Sequence, residues 1–150
     1  MKTTYLLLLS IILCLPMYAQ KNQKHSEDEF RNKKKAYIIE KAELTSEEAE
    51  AFFPIYFELQ NKKKAINKDT WKKAKTGLNV TTTEKEYEEI IDSYVNAQQE
   101  IQNLEKEYIR KYQKILSNKK IFQVYHAEIK FNRNMLKIMQ KMDEKDKKNK

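Results

Sequence analysis

Two groups of residues in this chain are of types that could do chemistry, and both fall towards its C-terminus. His126 is the histidine best placed to act as a base, with Glu128 two residues on. Residues two apart on a helix do not share a face, so this reads as a half-buried helix histidine, not a base with an orienting acid. Met135, Met139 and Met142 do share a face, at spacings of four and three. Thioethers with an imidazole upstream suit a soft ion such as Cu(I), but the same spacing serves a core stripe or a pliable binding surface. The chain has no His-Glu-x-x-His, no glycine-rich phosphate loop and no serine elbow. No catalytic residue, metal ligand or cofactor is assigned, and the expectation is a protein that is not an enzyme.

Charge is the next signal. Thirty Lys and Arg stand against 22 Asp and Glu, a net charge of +8. The lysines come in runs: Lys33-Lys34-Lys35, Lys62-Lys63-Lys64, Lys72-Lys73 with Lys75, and Lys119-Lys120. Many acids have a base four residues on, among them Glu27–Arg31, Glu29–Lys33, Glu58–Lys62, Asp69–Lys73 and Glu107–Lys111. Such contacts are solvated-face pairs worth a few tenths of a kcal/mol each, and they leave an excess of cations. A basic chain invites a nucleic-acid reading, but residues Met1–Ala19 argue against it. They combine Lys2, an apolar run from Tyr5 to Leu15, Pro16 and a small residue, Ala19, before a polar stretch, the pattern of a cleavable secretory signal peptide. A membrane span needs roughly 20 apolar residues, more than this run supplies. The expected setting is the periplasm, with no nucleic-acid partner; the cations would then face unfolded chains or anionic lipid headgroups.

The elements that must position these residues are helices. The single glycine is Gly77, and Pro54 is the only proline after Pro16; so few breakers are incompatible with a sheet protein and its many turns. The single cysteine, Cys14, lies in the leader, so the remainder must be stabilised by packing alone. Capping boxes place the helices. The first starts at Ser26 with Glu29, after a flexible tail at 20–25. The second starts at Thr45 with Glu48 and runs to Thr76, with Gly77 as its stop and a kink at Pro54. The third starts at Thr83 with Glu86 and runs to Ile115, about 50 Å long at the helical rise. The fourth follows Ser117-Asn118, and Asp143–Lys150 reads as a frayed charged tail.

Helices two and four open alike. Leu44-Thr45-Ser46-Glu47-Glu48 precedes Phe52, Phe53 and Tyr56; Leu116-Ser117-Asn118-Lys119-Lys120 precedes Phe122 and Tyr125. In both, an apolar residue precedes a hydroxyl N-cap and can staple the incoming chain to the first turn. The helix-cap motif is therefore Leu44, Thr45, Glu48, Leu116 and Ser117.

With its leader and helical domain, this pair of boxes resembles the Spy/CpxP-like LTxxQ family of periplasmic proteins, closest to the Bacteroidetes members described as sensors of ECF-type sigma factors. The segments that carry the likeness are Leu44–Tyr56 and Val124–Arg133; Glu48 and Lys120 stand where the motif has Gln. The resemblance covers about residues 26–142. It implies an all-α, four-helix, cradle-like homodimer acting as an ATP-independent chaperone or envelope-stress sensor, with unfolded or envelope proteins, or an anti-sigma factor, as partners. On that reading, Phe52, Phe53, Phe57, Met135 and Met139 supply apolar contact, and Lys62, Lys63, Lys64, Lys72 and Lys73 supply charge. A regulatory partner of an anti-sigma system and a structural coiled-coil envelope protein are the competing readings.

Overall fold

The computed structural model describes residues 15–148, with side chains over 27–147 apart from 143 and 146. Among these residues the chain is all-helical: α1 (Leu15–Ala42), α2 (Ser46–Thr76), α3 (Glu84–Tyr112) and α4 (Asn118–Lys148). Residues 20–25, expected as a tail, are helical, and Ser26 lies inside α1 instead of capping it. The stretch is mostly Gln and Lys, good helix formers, with no glycine or proline between it and Ala42 to stop it. For the same reason the expected frayed end is helical as far as Lys148. The leader expected at Met1–Ala19 lies outside the described residues except for 15–19.

The helices form two antiparallel pairs, α2 against α3 and α1 against α4. The pairs meet where α1 ends, α2 begins, α3 ends and α4 begins. There Ile38, Ala42, Phe52, Phe53, Tyr56, Tyr108, Tyr112, Val124 and Ala127 form one core. A fully buried side chain of this size contributes about 1.5–3 kcal/mol, so this end holds the molecule together. Side chains also seat α1 on α2, with the Arg31 guanidinium 4.3 Å from the Phe57 ring and the Lys35 ammonium 5.3 Å from the Phe53 ring. Away from this end the α2–α3 pair has only itself to pack on; within 60–98 the buried residues are Ile90 and Ala97.

Each turn follows from its sequence. α1 ends on Glu43, whose φ of 50° is left-handed, and the Leu44 N–H donates to the Ile39 carbonyl at 3.1 Å. That is a Schellman stop built without the usual glycine. α2 runs on through Pro54, which is exposed, so the carbonyl that loses its partner, that of Glu50, faces solvent. Gly77 caps α2 at φ −70°, a conformation open to any residue; a Cβ there would lie 2.9 Å from Ile90 Cδ1, the tip of a side chain that can turn aside. α3 stops at Tyr112, short of the expected Ile115, in a turn closed by the Leu116 N–H donating to the Tyr112 carbonyl at 2.8 Å.

Candidate functional site

The two Leu-Thr/Ser boxes come together in the core. Thr45 accepts from the Glu48 N–H at 3.2 Å, and the Glu48 carboxylate accepts from the Thr45 N–H at 2.9 Å, a complete capping box. Ser117 accepts from the Lys120 N–H at 3.3 Å. Leu44 and Leu116, each just before its cap, are buried in one cluster with Ala49 and Ile121, each four residues after its cap, the arrangement of a hydrophobic staple. The fourth positions of the two boxes then meet, because the Lys120 ammonium donates to the Glu48 carboxylate. Lys120 first, and the Thr45 N–H second, hold the Glu48 carboxyl below its ordinary value of 4.5. The two boxes thus carry a complementary ion pair across two helix starts.

The expected binding aromatics require a correction. Phe52 and Phe53 are 0% and 2% exposed and pack in the core with Tyr56 and Tyr112 at ring-centroid distances of 4.8–5.8 Å. They are structural, because the start of α2 is enclosed by three other helices and its whole apolar sector is covered. Phe57 is half-buried beneath Arg31 and lines a groove of about 220 Å³ between α1 and α2 with Phe30 and Lys64. Met135 is half-buried, and Met139 is exposed.

Most of the expected cations are occupied. Lys62 pairs with Glu58 at 3.1 Å and lies 5.3 Å from the Tyr108 ring; Tyr108, then Glu58, raise its pKa. Lys63 pairs with Glu105 and Lys64 with Glu27, so these two tie α2 to α3 and to α1. Glu27 thus reaches Lys64 and not Arg31, and Asp69 takes Lys72 at 3.2 Å in place of Lys73. The pairs Glu29–Lys33 and Glu107–Lys111 form as spaced, at 2.7 and 2.9 Å. Lys73 lines an open groove of about 630 Å³ between α2 and α3, beside Asp69, Asp92 and Glu100.

His126 and Glu128 diverge. His126 is exposed and stacks on Phe122 at 6.3 Å. Glu128 turns inward and accepts from the Tyr56 hydroxyl at 2.8 Å and from Lys34 at 2.9 Å. Burial, reinforced by Glu128, raises the Tyr56 pKa, so the phenol remains a donor. Glu128 is a structural tie that motif reading missed; its signal was that it is the sole acid between Asn118 and Met142. Among the described residues, no three His, Cys, Asp or Glu side chains are grouped to hold a metal ion, and no helix is long and apolar enough to cross a membrane.

Two outward stripes lie beyond the expected set. On α3, Tyr87, Ile91 and Val95 are exposed at four-residue steps, beside a parallel row of exposed acids, Glu84, Glu88 and Asp92. On α4, Phe122, Ile129 and Leu136 are exposed at seven-residue steps, beside Lys130, Arg133 and Lys137. No protein-family model, curated protein or solved structure matches the chain.

Proposed function

We propose that this chain is a periplasmic, non-enzymatic binding protein, an ATP-independent chaperone or envelope-stress sensor. The observation that carries the reading is the pair of exposed apolar stripes on α3 and α4, held on a frame whose aromatic core is closed. Contiguous apolar surface on a soluble frame marks a place where another molecule docks, and flanking charge raises the encounter rate. The signal-peptide pattern and the likeness to the Spy/CpxP-like family support the setting. Phe57, Met139 and Lys73 remain in the contact set, while Phe52 and Phe53 leave it. A cradle-like homodimer fits the reading: distal α2 carries Lys68, Lys72, Lys73 and Lys75, and distal α3 carries Glu84, Glu88 and Asp92, so two copies could pair base against acid.

The test is aggregation of a reduced secreted protein, followed by light scattering with and without the chain and in the absence of ATP. Suppression at several-fold excess supports the reading, and no suppression contradicts the chaperone form. Pull-down from envelope extracts separates the two forms, with many captured proteins indicating a chaperone and one stoichiometric partner indicating a sensor.

A further inference from the structure

α4 carries apolar side chains on two faces set about 120° apart around its axis. At 3.6 residues per turn, Ile121, Val124, Glu128, Phe131 and Met135 fall on one side, and those that reach the bundle are buried or half-buried. Phe122, Ile129 and Leu136 fall on the other, and are 69%, 57% and 60% exposed. Among the described residues, no neighbouring helix borders this outer face as a groove; a recess of about 200 Å³ upon it is lined by α4's own His126, Ile129, Lys130 and Arg133.

The charge on this face is of one sign. From Asn118 to Met142 the helix has six cations and one acid, Glu128, which is held inside by Tyr56 and Lys34. Lys120 is bound to Glu48. The other five, Lys119, Lys130, Arg133, Lys137 and Lys141, form no ion pair among the described residues. An apolar stripe of about 21 Å thus runs beside a row of unpaired cations, with no exposed acid between Asn118 and Met142 and the acids Asp143 and Glu144 only after its end.

We propose that the outer face of α4 is a docking surface for an anionic lipid bilayer, with Phe122, Ile129 and Leu136 entering the headgroup region and Lys130, Arg133 and Lys137 meeting lipid phosphates. Charge complementarity selects an anionic occupant. The convex face of a single helix fits a flat bilayer, whereas a docked peptide helix needs a groove. A stripe of Phe, Ile and Leu bordered by long basic side chains is the composition of a helix lying in the membrane interface, and lysine stems can bury while their ammonium groups stay at the phosphates. A second copy is disfavoured on this face, since an isologous contact would set like charges together. The α3 stripe is a built-in control: equally apolar in kind, but bordered by acids, it is repelled by the same surface. This proposal shares the α4 stripe with the chaperone reading but is tested by lipid binding and not by aggregation, so either can fail alone.

The experiment uses the full chain in two single-tryptophan forms, both with Trp71→Phe, one with Leu136→Trp and one with Ile91→Trp. Each is mixed with vesicles of phosphatidylcholine, with and without phosphatidylglycerol, containing brominated lipid as a depth-sensitive quencher. The position-136 probe is expected to be quenched several-fold more than the position-91 probe in anionic vesicles only, with loss of the difference at high salt. Adding Lys130→Glu, Arg133→Glu and Lys137→Glu is expected to weaken its partitioning by more than roughly tenfold, with helical content unchanged by circular dichroism. Equal quenching at both positions, or equal quenching in neutral vesicles, would overturn the proposal. So would burial of the position-136 probe that rises with protein concentration in the absence of lipid, which would assign the face to a second copy.

Discussion

The end of the molecule where four helices meet and the outward faces of α3 and α4 are built from the same side-chain types at helical spacing, yet one is dry and the other wet. Phe52 and Phe53 on α2 are enclosed because α1, α3 and α4 all reach that level. Ile91 on α3 and Leu136 on α4 are exposed because no further helix reaches theirs. Periodicity records that a helix has an apolar stripe; whether the stripe is covered depends on how many neighbours arrive, a property of the whole arrangement. The molecule thus keeps the residues that hold it together apart from the apolar stripes it exposes.

The largest effect that could break this division is truncation in the core. Phe52→Ala is expected to cost about 3–5 kcal/mol, whereas Leu136→Ala should stay within about 0.5 kcal/mol of the parent. Denaturant unfolding of the two variants measures both. Comparable losses would mean that the α4 stripe is covered in solution.

The cap end provides the next tests. Glu43 holds a left-handed backbone at the position where helices usually place glycine. Glu43→Gly is expected to gain about 1 kcal/mol, read as a higher unfolding midpoint. Acid should weaken the start of α2 and, at the far end of the α2–α3 pair, the start of α3, since Glu48 and Glu86 are both held below the ordinary carboxylate value, by Lys120 with Thr45 and by Thr83 respectively. Their folded pKa values lie below their unfolded ones, so the unfolded chain takes up protons first. Their contribution is complete above the unfolded value of about 4.5 and is lost as pH falls through the lower folded values. A pH series of melting temperatures for the parent and for Glu48→Gln should converge at acid pH. The smallest effect is expected at Tyr112, whose buried hydroxyl has no partner. Tyr112→Phe removes an unsatisfied polar group and should be neutral or slightly stabilising by thermal melting.

Much of this was legible before the fold. Two of the three expected capping boxes, at Thr45 and Thr83, are complete, because a cap is a local arrangement of four residues. Ser26 failed because a cap signal needs a break before it, and the residues ahead of it favour helix. The binding aromatics failed for a different reason. Phe53 was expected to offer apolar contact, but α1 packs across that side of α2 through Lys35 and Arg31, a tertiary contact with no local signature. The lysine runs misled in the same way: Lys63 and Lys64 look like surface charge and are ties to Glu105 and Glu27. The unpaired cations of α4, apart from Lys119, stand singly and form no run.

The central claim is that binding resides on the exposed stripes and not in the aromatic core. Its most direct test is aggregation suppression by full chains carrying Ile91→Ser with Val95→Ser, or Ile129→Ser with Leu136→Ser, each checked for an unchanged melting temperature. The account predicts that at least one pair loses most of the suppression while remaining as stable as the parent. Undiminished suppression by both pairs would contradict it.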